Sequence, residues 1–509
     1  MKKLDHIGLA EPMIHGLNFI RPGFTVGYNT TYAPSMYVLT ASFMDPATNT
    51  YQEVKQEARL VSVAFSMIAM VLLLWVVRLL YGAAKWLSPA LMATALFSLP
   101  LLFINYSKGI SSHITSPFVA TTCILILFSF LRSGAYSYKR VTTFALLVGI
   151  LFSFNYQTIY FLPPLSLILL WNSHVALRRP LKKSFADIAL FTLIFIPFFI
   201  TIYLIFLSSK TNAGMSWNVG TNHEFLFPLP PYGGTLESFL IPLKFLVTMT
   251  WQVIQDLTAF VPSNDLLYPL VPLLVIPLVG VGLVSLLVSK NRESRYFGWF
   301  TVLFALTVFS LHLLRLAPIS PTRHGLVFLP FIALLFVAGF VAVSRVLERI
   351  WKEQFNPVWT ASILVVLMAG AALSHHPNLM QQGNDQLDPE ILIPTLEKHD
   401  VATVLQLNLT INANFMPELS DQYRIYATRA FTNKLTHLTE LKTDGKPIAL
   451  LSQSYAIHED IIQSIKQMNG YVEYESFEIS SRFTPENSPL IIPHHLKNGR
   501  YMVILGPKL

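Results

Sequence analysis

The chain has 509 residues, of which 53% are hydrophobic and only 13% charged, and it carries a formal net charge of +8. A soluble domain carries about 25% charged residues. So few charges cannot cover a globule of this size in water, which excludes a soluble enzyme or binding module and makes lipid part of the solvent. The single cysteine, Cys123, excludes an intrachain disulfide scaffold.

Apolar runs predict an α-helical polytopic membrane protein with about ten spans, at 58–81, 86–106, 112–132, 141–156, 157–173, 184–208, 267–289, 296–316, 323–345 and 356–374. Most reach the roughly 17–25 residues that cross a hydrocarbon core. The run from Val141 to Trp171 is too long for one helix and short for two, and "SFNYQTIYFLPP" interrupts it, with the turn expected at Asn155 to Thr158.

Cations then orient the spans. One set of loops holds Arg78, Lys85, Arg132, Lys139, Arg140, Arg178, Arg179, Lys182, Lys183, Lys290, Arg292, Arg295, Arg345, Arg349 and Lys352; the opposite set holds Lys108, Lys210, Lys244, Arg315 and Arg323. The richer set is expected to be cytoplasmic. Basic loops beside a bilayer account for the net charge, so nucleic acid is not an expected partner. Residues 1–57, the loop 209–266 and the tail 375–509 then lie outside, flanking the multi-span region 58–374. "MKKL" is followed by no apolar stretch and is not a secretory leader.

Within the outer loop, "TLESFLIPLKFLVTMTWQVIQDLTAFV" is apolar yet carries Glu237, Lys244, Gln252, Gln255 and Asp256. A helix near 236–261 lying in the interface fits it better than a span. The tail reads as a small α/β domain. "DPEILIPTLEKHD" opens a helix with Asp388 as cap, "VATVLQLN", "KPIALLSQ" and "GRYMVILG" are strands, and "AIHEDIIQSIKQMNG" is a helix ended by Gly470. It holds no phosphate loop and no nucleophile elbow, so support or acceptor docking is its expected role.

The candidate chemistry lies at the outer face. Asp5 precedes "AEPMIHGLNF", a short helical pattern closed by Gly16; "YAPSMY" follows at 32–37; "EARLVSVAFSMIAMVLLLWVVRLLYG" then opens a span with Arg59 at its lip, and "SPTRHGLVFLPFIALLFVAG" stands at 320–339. This order resembles the GT-C superfamily of membrane glycosyltransferases, closest to the protein O-mannosyltransferase and lipid A aminoarabinose transferase group. Asp5-His6 stands where that group usually has "DE", "YAPSMY" where "HPPLY" or "KPPLL" is usual, and Arg323, His324 and Pro330 match its "PRY…P" segment. The resemblance covers roughly 4–374 and places the family's first span just before Asp5, so the chain is expected to lack that helix. Two positions depart from the pattern: His6 replaces the second acid, and "NYSKGISSH" at 105–113 lacks the acidic residue often found there. Both weaken any metal-assisted version of the chemistry: a divalent metal stays an alternative that no residue pattern supports, and no cofactor is assigned.

The resemblance implies inverting transfer from a polyprenyl-phosphate-linked sugar to a lipid, glycan or protein acceptor, with Asp5 as base. A carboxylate in a partly desolvated pocket has a raised pKa suited to that task. The departing phosphate needs a fixed cation, for which an Arg fork is well shaped. Arg323 is the first choice, Arg315 the second and Arg59 the third; as a plain interfacial anchor, Arg59 is equally well explained. His6, Tyr32, Tyr37, His324 and Trp217 are expected to line the pocket. His375-His376 and His494-His495 are adjacent pairs whose rings diverge, so surface roles are expected for them rather than metal ligation. Membrane lipid is the remaining partner, and the bacterial inner membrane the expected location. The rival readings are a lipid or glycolipid transporter and a non-catalytic scaffold. A transporter would place ionisable residues at mid-membrane, whereas here the spans carry almost no charges at mid-depth and the polar residues collect on one face, which favours a surface active site.

Overall fold

The computed structural model describes residues 35, 39, 51–100, 103–104, 114–132, 137–202, part of 240–258, 270–313, 323–351, 355–374, 389–406, 422–427, 444–452, 459–479 and 500–508. Ten helices account for the apolar half: α1 (Tyr51–Tyr81), α2 (Leu87–Ser98), α3 (Thr115–Arg132), α4 (Tyr138–Phe154), α5 (Leu162–Trp171), α6 (Leu181–Ile202), α7 (Leu270–Leu287), α8 (Arg292–Leu313), α9 (Leu329–Trp351) and α10 (Pro357–Ser374). A 3₁₀ turn, Tyr156–Phe161, leads into α5, another, Arg323–Phe328, leads into α9, and a π turn, Asn172–Ala176, closes α5.

Each of the ten apolar runs is therefore helical. Five stretches are long and apolar enough to cross a membrane: Arg59–Tyr81, Thr115–Arg132, Leu181–Thr201, Arg292–Leu311 and Gly325–Trp351. The run 86–106 is shorter than expected as a helix. It stops at Ser98: the Leu99 N–H still reaches the Ala95 carbonyl at 3.0 Å, but Pro100 has no N–H with which to continue the ladder.

Leu60, Met67, Val71 and Trp75 on α1, Leu273, Leu274 and Val284 on α7 and Trp359, Val366 and Leu367 on α10 are exposed. Apolar faces of that extent are stable only against acyl chains, and the chain is an integral, multi-pass membrane protein.

Helix boundaries follow local chemistry. Ser137 caps α4 by accepting the Arg140 N–H, Asn291 caps α8 by accepting the Ser294 N–H at 3.1 Å, and Asn356 caps α10 by accepting the Val358 N–H at 2.9 Å, with Pro357 at the first position. The central pillar is α9, buried on all sides from Leu329 to Phe340. It meets α7 so closely that a Cβ on Gly339 would lie 1.9 Å from the Leu278 carbonyl oxygen, and one on Gly282 1.8 Å from that of Leu335. Two glycines thus let two backbones touch, the small-residue mode of packing in lipid. Beside it, Phe161, Phe304 and Phe331 form a stack, with Phe331 centred 4.4 Å from Phe304 and 6.1 Å from Phe161.

The tail forms a five-stranded sheet, β1 (Thr403–Gln406), β2 (Arg424–Ala427), β3 (Ile448–Ser452), β4 (Tyr471–Ile479) and β5 (Arg500–Pro507), in the order β2-β1-β3-β5-β4. β2, β1 and β3 are parallel, and β5 is antiparallel to both β3 and β4. Helix α11 (Pro389–Lys398) sets Leu392 and Leu396 into a core with Val404, Ala449, Leu451, Met502 and Ile504. Helix α12 (Glu459–Asn469) sets Ile462 and Ile465 into a second core with Leu405, Ile448, Leu450, Val503 and Leu505. Alternate residues of one strand feed opposite cores, as the period of two requires. Gly470, at φ +65°, ends α12. The three strands and two helices read from the sequence are present; β2 and β4 are additions to it.

Candidate active site

Two ends of the helical body can be told apart by their contacts. At one end, Arg132 at the close of α3 donates to Glu293 at the start of α8, at 2.8 Å, and to the Leu79 carbonyl near the close of α1, at 3.1 Å. Arg292 donates to Asn172 after α5, and Arg179 pairs with the buried Asp187 near the start of α6. Arg345, near the end of α9, lies within electrostatic reach of Tyr81. These residues all belong to the cation-rich set of loops or their borders, so those loops share one face of the molecule.

The opposite end carries the starts of α1, α3 and α9 and the close of α4. Phe65 of α1 packs on Phe118 of α3 at 5.3 Å and on Phe154 of α4 at 5.5 Å. α1 and α3 run parallel, because Phe65 meets Phe118 at one end and Leu79 meets Arg132 at the other. Arg59 lies between one and two turns above Phe65, half-buried. The Arg323–Phe328 turn packs against α3 as well. Its Leu326 and Val327 are fully buried, and Phe328 meets Phe304 at 5.7 Å.

Arg59 and Arg323 therefore belong to the same end of the body, and the helix and the turn that carry them both pack on α3. The "YAPSMY" segment reaches that end too: Ser35 donates to Ser153 of α4 at 2.7 Å, and Leu39 packs on the helical core. Asp5, His6, Tyr32, Tyr37, Trp217 and Arg315 lie outside the described residues, as do the side chains of Arg323 and His324. The described residues between 240 and 258 are helical, with Val253 and Leu257 buried in the core and Leu240, Val247 and Trp251 exposed.

A polar knot was not foreseen from the sequence. Asn155 ends α4 in extended backbone, at φ −157° and ψ 123°, and its side-chain oxygen accepts the Gln157 N–H to start the 3₁₀ turn. Its Nδ2 donates to Ser116 Oγ at 2.7 Å and Thr115 Oγ1 at 3.3 Å. Ser116 Oγ donates onward to Gln157 Oε1 at 2.8 Å, and Thr115 Oγ1 to the Phe154 carbonyl at 3.1 Å. Thr115, Ser116 and Thr158 are fully buried. One amide thus holds the end of α4, the start of α3 and the return into α5 in fixed register, forming a rigid floor beneath the Arg59 end. The only sign of it in the sequence is "SFNYQT", a polar interruption where an apolar run would otherwise continue.

Among the described residues no group of three His, Cys, Asp or Glu side chains could hold a metal ion.

No family profile matches the chain, and no curated protein matches it. A solved structure that resembles it is that of ArnT from Cupriavidus metallidurans bound to undecaprenyl phosphate, at 12% identity and a TM-score of 0.47, covering 99% of this chain and 95% of that one. At that score and identity the likeness is a record of similar chain course and carries no conclusion about chemistry.

Proposed function

We propose that the protein is a GT-C-type glycosyltransferase, which moves a sugar from a polyprenyl-phosphate-linked donor to a lipid, glycan or protein acceptor at the outer face of the bacterial cytoplasmic membrane. The observation that carries this reading is that Arg59, the Arg323 turn and the Ser35 segment all lie at one end of the helical body, on α1, against α3 and against α4 respectively, opposite the cation-rich end. These are three of the segments whose order in the sequence resembles the family. A surface site with a guanidinium near the bilayer boundary is what such a transfer needs, since the donor's lipid tail stays in the membrane while its phosphate and sugar sit at the rim.

In this reading the Asp5 carboxylate takes the proton of the acceptor hydroxyl or amine. The acceptor atom attacks the anomeric carbon, the bond from that carbon to the phosphate oxygen breaks, and polyprenyl phosphate leaves with the bonding pair. The sugar inverts. Arg323, supported by Arg315 and Arg59, holds the departing anion by charge-assisted hydrogen bonds. His6, Tyr32, Tyr37, His324 and Trp217 line the sugar and acceptor pocket, and residues 375–509 stand outside the membrane as an acceptor-side domain.

The test is transfer of labelled sugar from polyprenyl phosphate in membranes containing the wild type, Asp5→Asn or Arg323→Lys. Loss of a general base costs typically 10²–10⁴-fold. Asp5→Asn is expected to fall by that much with unchanged expression and thermal unfolding. Asp5→Asn activity within a few-fold of wild type refutes the assignment of the base. A wild type that neither transfers nor binds the donor refutes the whole reading and leaves the transporter or scaffold.

A further inference from the structure

Beyond orienting the spans, five of the cations at the cation-rich end are gathered into one patch. Arg178, Lys182, Lys183, Lys290 and Arg295 are all exposed. They sit in two loops more than a hundred residues apart in sequence, which one knot brings together. Arg292 donates to Asn172, Arg179 Nη1 to Ser173 Oγ at 3.3 Å, and Ser184 Oγ to Ser173 Oγ at 2.9 Å. Asn172, Ser173, Ser184 and Asp187 are buried at the centre of this knot, and each of the five cations lies within about six residues along the chain of one of its members.

No carboxylate among the described residues pairs with any of the five. The acids nearby are committed: Asp187 to Arg179, and Glu293 to Arg132. Lys182 and Lys183 also occupy the first turn of α6, and Arg295 that of α8. A helix start carries partial positive charge, so cations placed there repel it and one another. An anion between the two helix starts removes both repulsions. The surroundings specify what kind of anion. Trp171, Val175, Leu181 and Phe185 on one side and Val288 and Trp299 on the other are exposed apolar residues bordering the patch. Phosphate charge next to apolar chain is the chemistry of a phospholipid.

We propose that this end of the protein is a docking surface for anionic phospholipid headgroups, held by Arg178, Lys182, Lys183, Lys290 and Arg295, with the acyl chains laid on the bordering apolar side chains. The surface is distinct from the Arg59 end and independent of the transfer reaction. It ties the α5–α6 connection to the start of α8 through the lipid as well as through the Arg292–Asn172 bond.

The experiment uses the full chain in nanodiscs of phosphatidylcholine alone or mixed with phosphatidylglycerol, and in neutral detergent for native mass spectrometry. The combined variant Lys182→Gln, Lys183→Gln, Lys290→Gln, Arg295→Gln is compared with wild type. Wild type is expected to unfold several degrees higher with phosphatidylglycerol, to lose that gain at high salt and to retain phosphatidylglycerol in the mass spectrum. The variant is expected to match wild type in phosphatidylcholine and to lose more than half of the gain. A variant that keeps the full gain overturns the proposal. So does a wild type stabilised equally by sodium phosphate, which would mark a free-anion site in place of a lipid one.

Discussion

Arg132 grips Glu293 with both arms of its guanidinium, Nε to Oε1 at 2.9 Å and Nη2 to Oε2 at 2.8 Å, and the same Nη2 reaches the Leu79 carbonyl at 3.1 Å. One side chain thereby joins the ends of α1 and α3 to the start of α8. The bidentate geometry is specific to a guanidinium, and both partners are partly solvated. Arg132→Lys is expected to destabilise the protein by about 0.5–1 kcal/mol, the upper part of the range for exposed pairs. In a double-mutant cycle Glu293→Gln should add little to it. Thermal unfolding in detergent reads both values, and full additivity would show that the pair is not coupled.

Asn155 has no conservative replacement. Its amide donates to Ser116 and Thr115 while its oxygen caps the 3₁₀ turn. Asn155→Asp keeps the cap and removes the donors; Asn155→Ala removes both and leaves buried polar groups unmet, at about 1–3 kcal/mol. Stability is expected to rank wild type, then Asp, then Ala. If the knot is the floor of the active site, transfer by Asn155→Asp should fall further than its lost stability accounts for.

Gly339 is the point where α7 and α9 touch. A side chain there meets backbone rather than a movable side chain, so the helices must part. Gly339→Val is expected to cost 3 kcal/mol or more, beyond the usual ~1–3 for overpacking. Gly370, whose added Cβ would meet nothing within 4 Å, should accept Ala without loss. Thermal stability of the two variants compares them directly.

Glu475 on β4 accepts from Lys398 at 3.0 Å and sits 2.6 Å from His399 Nε2. The hydrogen bond from Lys398, followed by that from His399, lowers its pKa below the usual carboxylate value. A lowered folded-state pKa means that this stabilisation is full above the unfolded value and is lost as pH falls through the folded one. Glu475→Gln is therefore expected to flatten the acid side of the stability profile of the sheet region and to leave it unchanged above the carboxylate range. Hydrogen exchange in β4 and β5 between pH 3 and pH 7 follows the difference; an identical acid limb in the variant would remove Glu475 from the account.

Hydropathy and charge in the sequence were enough to establish the membrane class, the helical character of all ten apolar runs and the break at Asn155, because bilayer thickness and the water-free core act on each run separately. Short continuous apolar runs likewise marked β1, β3 and β5, which are buried on both faces. β2 begins with Arg424 and offers only Ile425, Tyr426 and Ala427 after it, too short an apolar run to read as a strand. β4, at the sheet edge, carries Glu473, Glu475 and Glu478, which mask its apolar side. What tertiary structure alone decided is adjacency. The sequence placed Arg59 and Arg323 on one side of the bilayer by counting spans, but that α1 and the 323–328 turn both pack on α3 depends on tertiary structure. The Asn155 knot, the Gly282–Gly339 contact and the meeting of residues 172–187 with 290–295 likewise join positions far apart in the chain. No local periodicity encodes such pairings, since each arises only when two helix surfaces fit together.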